Sequence, residues 1–224
     1  MPEVPRKVEH VYLPTLGPAV VAAWERGGAK PSKLLARSLI SIIWIETGHG
    51  NLVCNSPGNV SVGGYYNGTD KIASWWHGDY WRPPWFADEG HRLHATMLEG
   101  KAPSAFAAYA TLEAGLDHWV RVLKKNFPSV ITAGQTGNAA SLVKALHDSR
   151  YSTDYKPEHA ASFEKLFDEL ATNAEYQKLE ASLPGTLAVS GGGSGVGMTW
   201  LLLTGLGVGA IAGVGLWMLT RRKR

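Results

Sequence analysis

A chain of 224 residues that is 45% hydrophobic and only 18% charged is too apolar for a disordered protein and has room for one sizeable domain with appendages. Its net charge of +3 is outweighed by the four basic residues Arg221, Arg222, Lys223 and Arg224 alone, so the remainder is near neutral and lacks the basic field of a nucleic-acid-binding protein. The lone cysteine, Cys54, excludes an intrachain disulfide framework.

Residues 1–20 carry early prolines and acidic side chains and no apolar run, which predicts no secretory signal. Residues 1–14 read as an N-terminal extension and residues 15–182 as the folded domain. Pro31 stands where a first helical turn would open, and Leu34, Leu35, Ser38, Leu39, Ile42, Ile43 and Ile45 predict a strongly apolar helix that Gly48 and Gly50 end. Between residues 50 and 106, Gly, Pro, Asn and aromatics predict an irregular lobe with at most short strands. Four of the nine tryptophans, Trp75, Trp76, Trp81 and Trp85, fall in that lobe. Their indoles suit stacking on sugar faces and equally suit packing a lobe poor in aliphatic side chains.

Thr111 is a candidate cap for a helix with Leu112, Leu116, Trp119, Val120 and Leu123 on one stripe, ending before Pro128. A short helix is predicted over Ala139 to Asp148, with Leu142, Val143 and Leu146 inward. Another opens at Pro157 and buries Phe163, Leu166, Phe167 and Leu170. Residues 183–197, with the run Ser190 to Gly195, read as a flexible tether.

Residues 198–220 contain no charged side chain, have Trp200 and Trp217 near their ends and run into the basic tail 221–224. About 20 apolar residues suffice to cross a bilayer as a helix, so a C-terminal transmembrane helix is predicted. Gly205, Gly209 and Gly213 recur every fourth residue, a stripe suited to helix–helix self-association or merely tolerated in lipid. The basic tail favours a cytoplasmic C-terminus and a domain facing the cell wall. Export of such a domain without a leader points to an unusual route, for example a phage particle that contains a membrane.

Glu46 ends the most apolar helix of the domain, in Ile42-Ile43-Trp44-Ile45-Glu46-Thr47-Gly48-His49-Gly50. Desolvation of a carboxyl there would favour its protonated form, the state that can protonate a leaving glycosidic oxygen; the plainer reading is a surface glutamate at a helix end. Glu46-Thr47-Gly48-His49-Gly50 resembles the E-S/T-G-x-G segment of lysozyme-superfamily glucosaminidases, above all glycoside hydrolase family seventy-three, with its flagellar rod-associated hydrolases and autolysins. Three later segments follow in the family's order. Asn59-Val60-Ser61-Val62 is similar to N-L-F-G-I, and Phe106-Ala107-Ala108-Tyr109 to F-R-x-Y, followed by a helix with Leu116, Asp117 and Trp119. Ala145 to Tyr155 resembles A-L-x-x-A-G-Y-A-T-D-P. Together they cover roughly residues 34–170.

The resemblance implies a mainly α, lysozyme-like (α+β) domain that cleaves β-1,4 bonds of peptidoglycan glycan strands as an endo-β-N-acetylglucosaminidase, without metal or cofactor. It implies Glu46 as general acid and Tyr151 as an active-site tyrosine, with Thr153 and Asp154 ordering the following turn. Asn59, Trp75, Trp76 and Tyr109 are the candidate substrate-binding residues. The family's second carboxylate has no clean counterpart. Asp88, Glu89 and Glu99 are candidates, and if none serves, a single glutamate fits a lytic transglycosylase, which leaves an anhydro product. Rival readings are a cysteine peptidase or amidase using Cys54, a zinc site drawn from His77, Asp79, Asp88, His91 and His94, and a non-catalytic glycan-binding or structural membrane protein.

Overall fold

The computed structural model describes residues 2–58, 60–62, 72–74, 76–82, 105–151 and 157–185. Its organising element is helix α2, Lys33–Glu46, in which Leu35, Ala36, Leu39, Ile40, Ile42 and Ile43 are all at most 3% exposed. A helix apolar on nearly every side must be surrounded, and α2 packs against α1 (Leu13–Arg26), α4 (Pro128–Gly134) and α6 (Ala160–Thr172). The Ser32 hydroxyl caps it by accepting from the Leu35 amide, so Pro31 lies just outside the helix and not in its first turn. Ser38, on the same helix, donates to the Gly134 carbonyl at 3.0 Å and ties down the end of α4.

Helix α3, Leu112–Asn126, is capped by Thr111 as its sequence predicts, and Leu116, Trp119, Val120 and Leu123 point into the core. It does end before Pro128, but that proline opens the seven-residue α4, where a missing amide costs nothing. Helix α5 spans Ala139–Asp148, capped by Asn138. Pro157–His159 form a 3-10 turn leading into α6, whose Phe163, Leu166, Phe167 and Leu170 are buried; α7, Ala174–Ala181, follows. The described part of the chain is therefore mainly helical, with seven α-helices and two small sheets.

Both sheets are two-stranded and antiparallel. Strand β1, Val8–His10, pairs with β2, Asn51–Val53, in the register Val8 opposite Val53 and His10 opposite Asn51. Strand β3, Tyr80–Trp81, pairs with β4, Phe106–Ala107, where Trp81 stacks on Phe106 at 5.0 Å. The first residues are thus built into the fold and are not a free extension. The Val4 amide donates to Tyr80, Cys54 and Lys7 exchange backbone and thiol contacts, and Arg82 pairs with Glu3. Helix α1, not expected from the sequence, opens with Pro14 in its first turn and buries Leu16, Val20, Ala23 and Trp24 in spite of Pro18 in its interior. At the other end Leu183 is 5% exposed against Val21 and Ala36, and the Pro184 carbonyl accepts from the Lys33 amide, so the domain runs past residue 182.

Among the described residues no helix is long and apolar enough to cross a membrane. The predicted span 198–220 with Gly205, Gly209 and Gly213, the tail 221–224 and the tether from residue 186 lie outside the described residues.

Candidate functional site

Glu46 is the last residue of α2 and is half-buried. The helix stops there by a six-to-one and five-to-two pair of hydrogen bonds: the His49 amide reaches the Trp44 carbonyl at 2.7 Å and the Gly48 amide reaches Ile45 at 3.1 Å. Gly48, His49 and Gly50 follow with φ of 59°, 66° and 88°. Thr47 reinforces the turn, its hydroxyl donating to Ile43 at 2.7 Å and accepting from the Gly50 amide at 3.1 Å. A side chain at Gly50 would sit 2.4 Å from the Val11 carbonyl oxygen, so only glycine lets β1 close against this loop. The carboxyl is thereby carried on a rigid helix end whose exit is fixed on all sides.

Tyr151 is set in place by the same device at the end of α5. Its amide reaches the Leu146 carbonyl at 3.0 Å, the Arg150 amide reaches His147 at 2.9 Å, and Arg150 takes φ 59°. The tyrosine is partly exposed as a residue, but its hydroxyl is enclosed. The Trp119 indole N–H donates to that hydroxyl at 2.9 Å, and Phe127 meets the ring edge-on at 5.2 Å. Gly58 lies over the pair; a methyl there would stand 2.4 Å from Trp119 Nε1 and 2.8 Å from the Tyr151 hydroxyl.

Glu46 and Tyr151, remote in sequence, act on each other electrostatically. Burial first, and then the negative charge of Glu46, push the Tyr151 phenol well above the usual tyrosine range, while the Trp119 hydrogen bond works against them. The phenol therefore stays protonated. A carboxyl and a neutral phenol fixed at two helix ends can hold and hand over a proton with little reorganisation.

Tyr109 takes a different place. Its amide bonds the Cys54 carbonyl, its carbonyl accepts from Asn55, and its hydroxyl meets His118 Nδ1 at 2.5 Å. Trp76 packs against both rings, at 5.9 Å from Tyr109 and 5.3 Å from His118, and donates its N–H to the Asp79 carbonyl. At 9% exposure Trp76 fills the lobe together with Val62, Ala105 and Ala107 and offers little face for stacking. Burial lifts the Tyr109 phenol far above its usual range and lowers His118, with Arg121 adding to the latter shift, so the pair is neutral, phenol to imidazole.

Cys54 is buried at φ 50°, its sulfur accepting from the Lys7 amide and facing the Pro5 carbonyl, which makes it part of the N-terminal seam. Asn59, Trp75, Trp85, Asp88, Glu89, His91, His94, Glu99, Thr153 and Asp154 lie outside the described residues. Trp119, Gly58 and Phe127 were not among the site residues expected from sequence. The signal for Trp119 was present, since a polar N–H on an otherwise apolar core stripe requires a partner. No protein-family model, no curated protein and no solved structure matches this chain.

Proposed function

We propose that this chain is a lysozyme-like peptidoglycan glycosidase, an endo-β-N-acetylglucosaminidase, with Glu46 as its general acid. It is held at a membrane by residues 198–220, with its domain facing the cell wall. What supports the reading is that the two residues the ordered motifs single out, Glu46 and Tyr151, each stand at a helix end terminated by the same hydrogen-bond pattern, and that the charge of Glu46 reaches the Tyr151 phenol. Glu46 gives its proton to the bridging oxygen as the bond from the anomeric carbon breaks. Water then adds at that carbon and its released proton restores the carboxyl, so one bond is exchanged for one water.

The test is the release of reducing ends from purified peptidoglycan by the full chain in detergent, with Glu46→Gln alongside. The reading requires release by the wild type and a loss of at least about a hundredfold in the variant, the low end of the usual contribution of a general acid. Equal release by both, or none by a folded wild type, contradicts it.

A further inference from the structure

We propose that the outer face of β1 and its continuation, formed by Val8, His10 and Tyr12, is a glycan-binding surface, with the Tyr12 ring as the platform on which a sugar of the strand stacks. This rests on the glycosidase reading for the identity of the glycan.

Side chains alternate between the two faces of a strand. Val8 and His10 therefore share a face, and the extended backbone at Tyr12 (φ −73°, ψ 148°) carries the alternation on to its ring. A strand packed on a core ordinarily turns apolar side chains inward and polar ones outward. Here the order is reversed. Val8 is 44% and Tyr12 68% exposed, while Glu9 between them lies on the half-buried side, opposite the fully buried Leu52. Among the described residues these two are the large hydrophobic side chains that stand open to solvent. Apolar residues scattered singly on a surface need no explanation, but two on one short strand face, with an imidazole between them, mark a contact surface.

The platform is fixed before any ligand arrives. The Tyr12 carbonyl accepts from the Thr15 and Leu16 amides at 2.9 Å each, which anchors the residue at the start of α1. The His10 ring meets the Tyr12 ring at right angles, centroids 4.7 Å apart. His10 Nδ1 is in turn 3.1 Å from Asn51 Oδ1, and the Asn51 side-chain amide donates to the Gly48 carbonyl at 2.7 Å. The Val11 amide donates to the Gly50 carbonyl at 2.8 Å. Gly48 and Gly50 belong to the turn that ends the Glu46 helix, so direct hydrogen bonds join this surface to that turn. A ring already held in place loses little freedom when a ligand lands on it.

The rim of the surface decides what fits it. A sugar ring has C–H groups on its faces and hydroxyls around its edge. The Tyr12 ring suits the faces, and the exposed side chains of His10 and Asn51 beside it suit the hydroxyls. An apolar partner in the same place would strip water from those polar groups and give nothing back.

The experiment measures binding of the full chain in detergent to purified peptidoglycan sacculi by co-sedimentation, on a Glu46→Gln background so that binding is read without cleavage. Adding Tyr12→Ala is expected to weaken binding about threefold to tenfold, the range of one aromatic stacking contact, and Tyr12→Phe is expected to retain it. Unchanged binding with Tyr12→Ala overturns the proposal, as does a Tyr12→Phe variant that binds as weakly as Tyr12→Ala. A loss confined to phosphatidylglycerol vesicles, or seen only as a changed oligomeric state, overturns it too and gives the face to a lipid surface or a second copy. The two readings fail separately. A wild type that cleaves, with binding indifferent to Tyr12, overturns this assignment alone. A wild type that binds through Tyr12 and releases no reducing ends overturns the glycosidase reading and upholds the surface.

Discussion

Gly48 and Arg150 hold the same backbone angle, φ 59°, at the same position beyond two helices, one ending in Glu46 and the other presenting Tyr151. The left-handed region is nearly free for glycine and costs an L-residue about 1–2 kcal/mol. A β-carbon at Gly48 would meet nothing within 4 Å, so Gly48→Ala isolates the backbone term. It should destabilise the protein by about 1 kcal/mol. Arg150→Gly should stabilise it by a somewhat smaller amount, because glycine enters the left-handed region that Arg150 is held in without that cost. Urea unfolding of the two variants checks both signs, and a shift of the same sign in each contradicts the assignment of the turns.

Gly58 answers to contact and not to angle. A methyl group 2.4 Å from Trp119 Nε1 must push the loop away or break the bond to Tyr151. Gly58→Ala is therefore expected to cost about 1–3 kcal/mol, the usual range for overpacking, and to lower activity along with it. Full stability and activity in this variant would show that the loop does not press on the pair.

The N-terminal strand is a structural element. Removing residues 1–10 deletes three cross-strand pairs, Val8 with Val53, Glu9 with Leu52 and His10 with Asn51, and uncovers buried Cys54. At about 0.2–1 kcal/mol per pair, a loss of roughly 1–3 kcal/mol follows, measured as a lower thermal midpoint. An unchanged midpoint would return these residues to the status of an extension.

Alkaline pH should unfold the protein. Burial raises the phenols of Tyr109, Tyr151 and Tyr176, the last up to about 12 with help from the charge of Glu180. Above the ordinary tyrosine value of 10.0 the unfolded chain releases phenolic protons that the native state keeps. The unfolded state then binds fewer protons, so stability present below that value falls as pH rises, by up to about 1.4 kcal/mol per pH unit for each tyrosine. Urea midpoints followed from about pH 8 to about pH 11 should drop, and less steeply in Tyr151→Phe. A flat profile would mean that these phenols are not buried as described.

Much of the helical framework is legible in the sequence because apolar periodicity and caps agree, as at Thr111 with the Leu116–Trp119–Leu123 stripe and at Ala139 to Asp148. Helix α1 is hidden by Pro18, which argues locally against a helix interior, while the burial of Leu16, Val20 and Trp24 overrides it. The role of residues 2–10 is hidden because pairing with β2 is a long-range contact that no short window contains. Within the candidate site, Glu46 stands out by its place at the end of an apolar run. The bond from Trp119 to Tyr151 does not, since each residue reads locally as ordinary core or loop. Arg150 conceals a left-handed turn behind a side chain that seldom adopts one.

The most direct measurement of the central claim is digestion of purified peptidoglycan in oxygen-18 water by the full chain in detergent, wild type beside Glu46→Gln, with the products read by mass spectrometry. The account predicts N-acetylglucosamine reducing ends that carry one heavy oxygen each and are absent with the variant. Unlabelled anhydro ends would make the enzyme a lytic transglycosylase. Intact glycan after treatment with a folded wild-type protein, or cleavage undiminished by Glu46→Gln, would contradict the account.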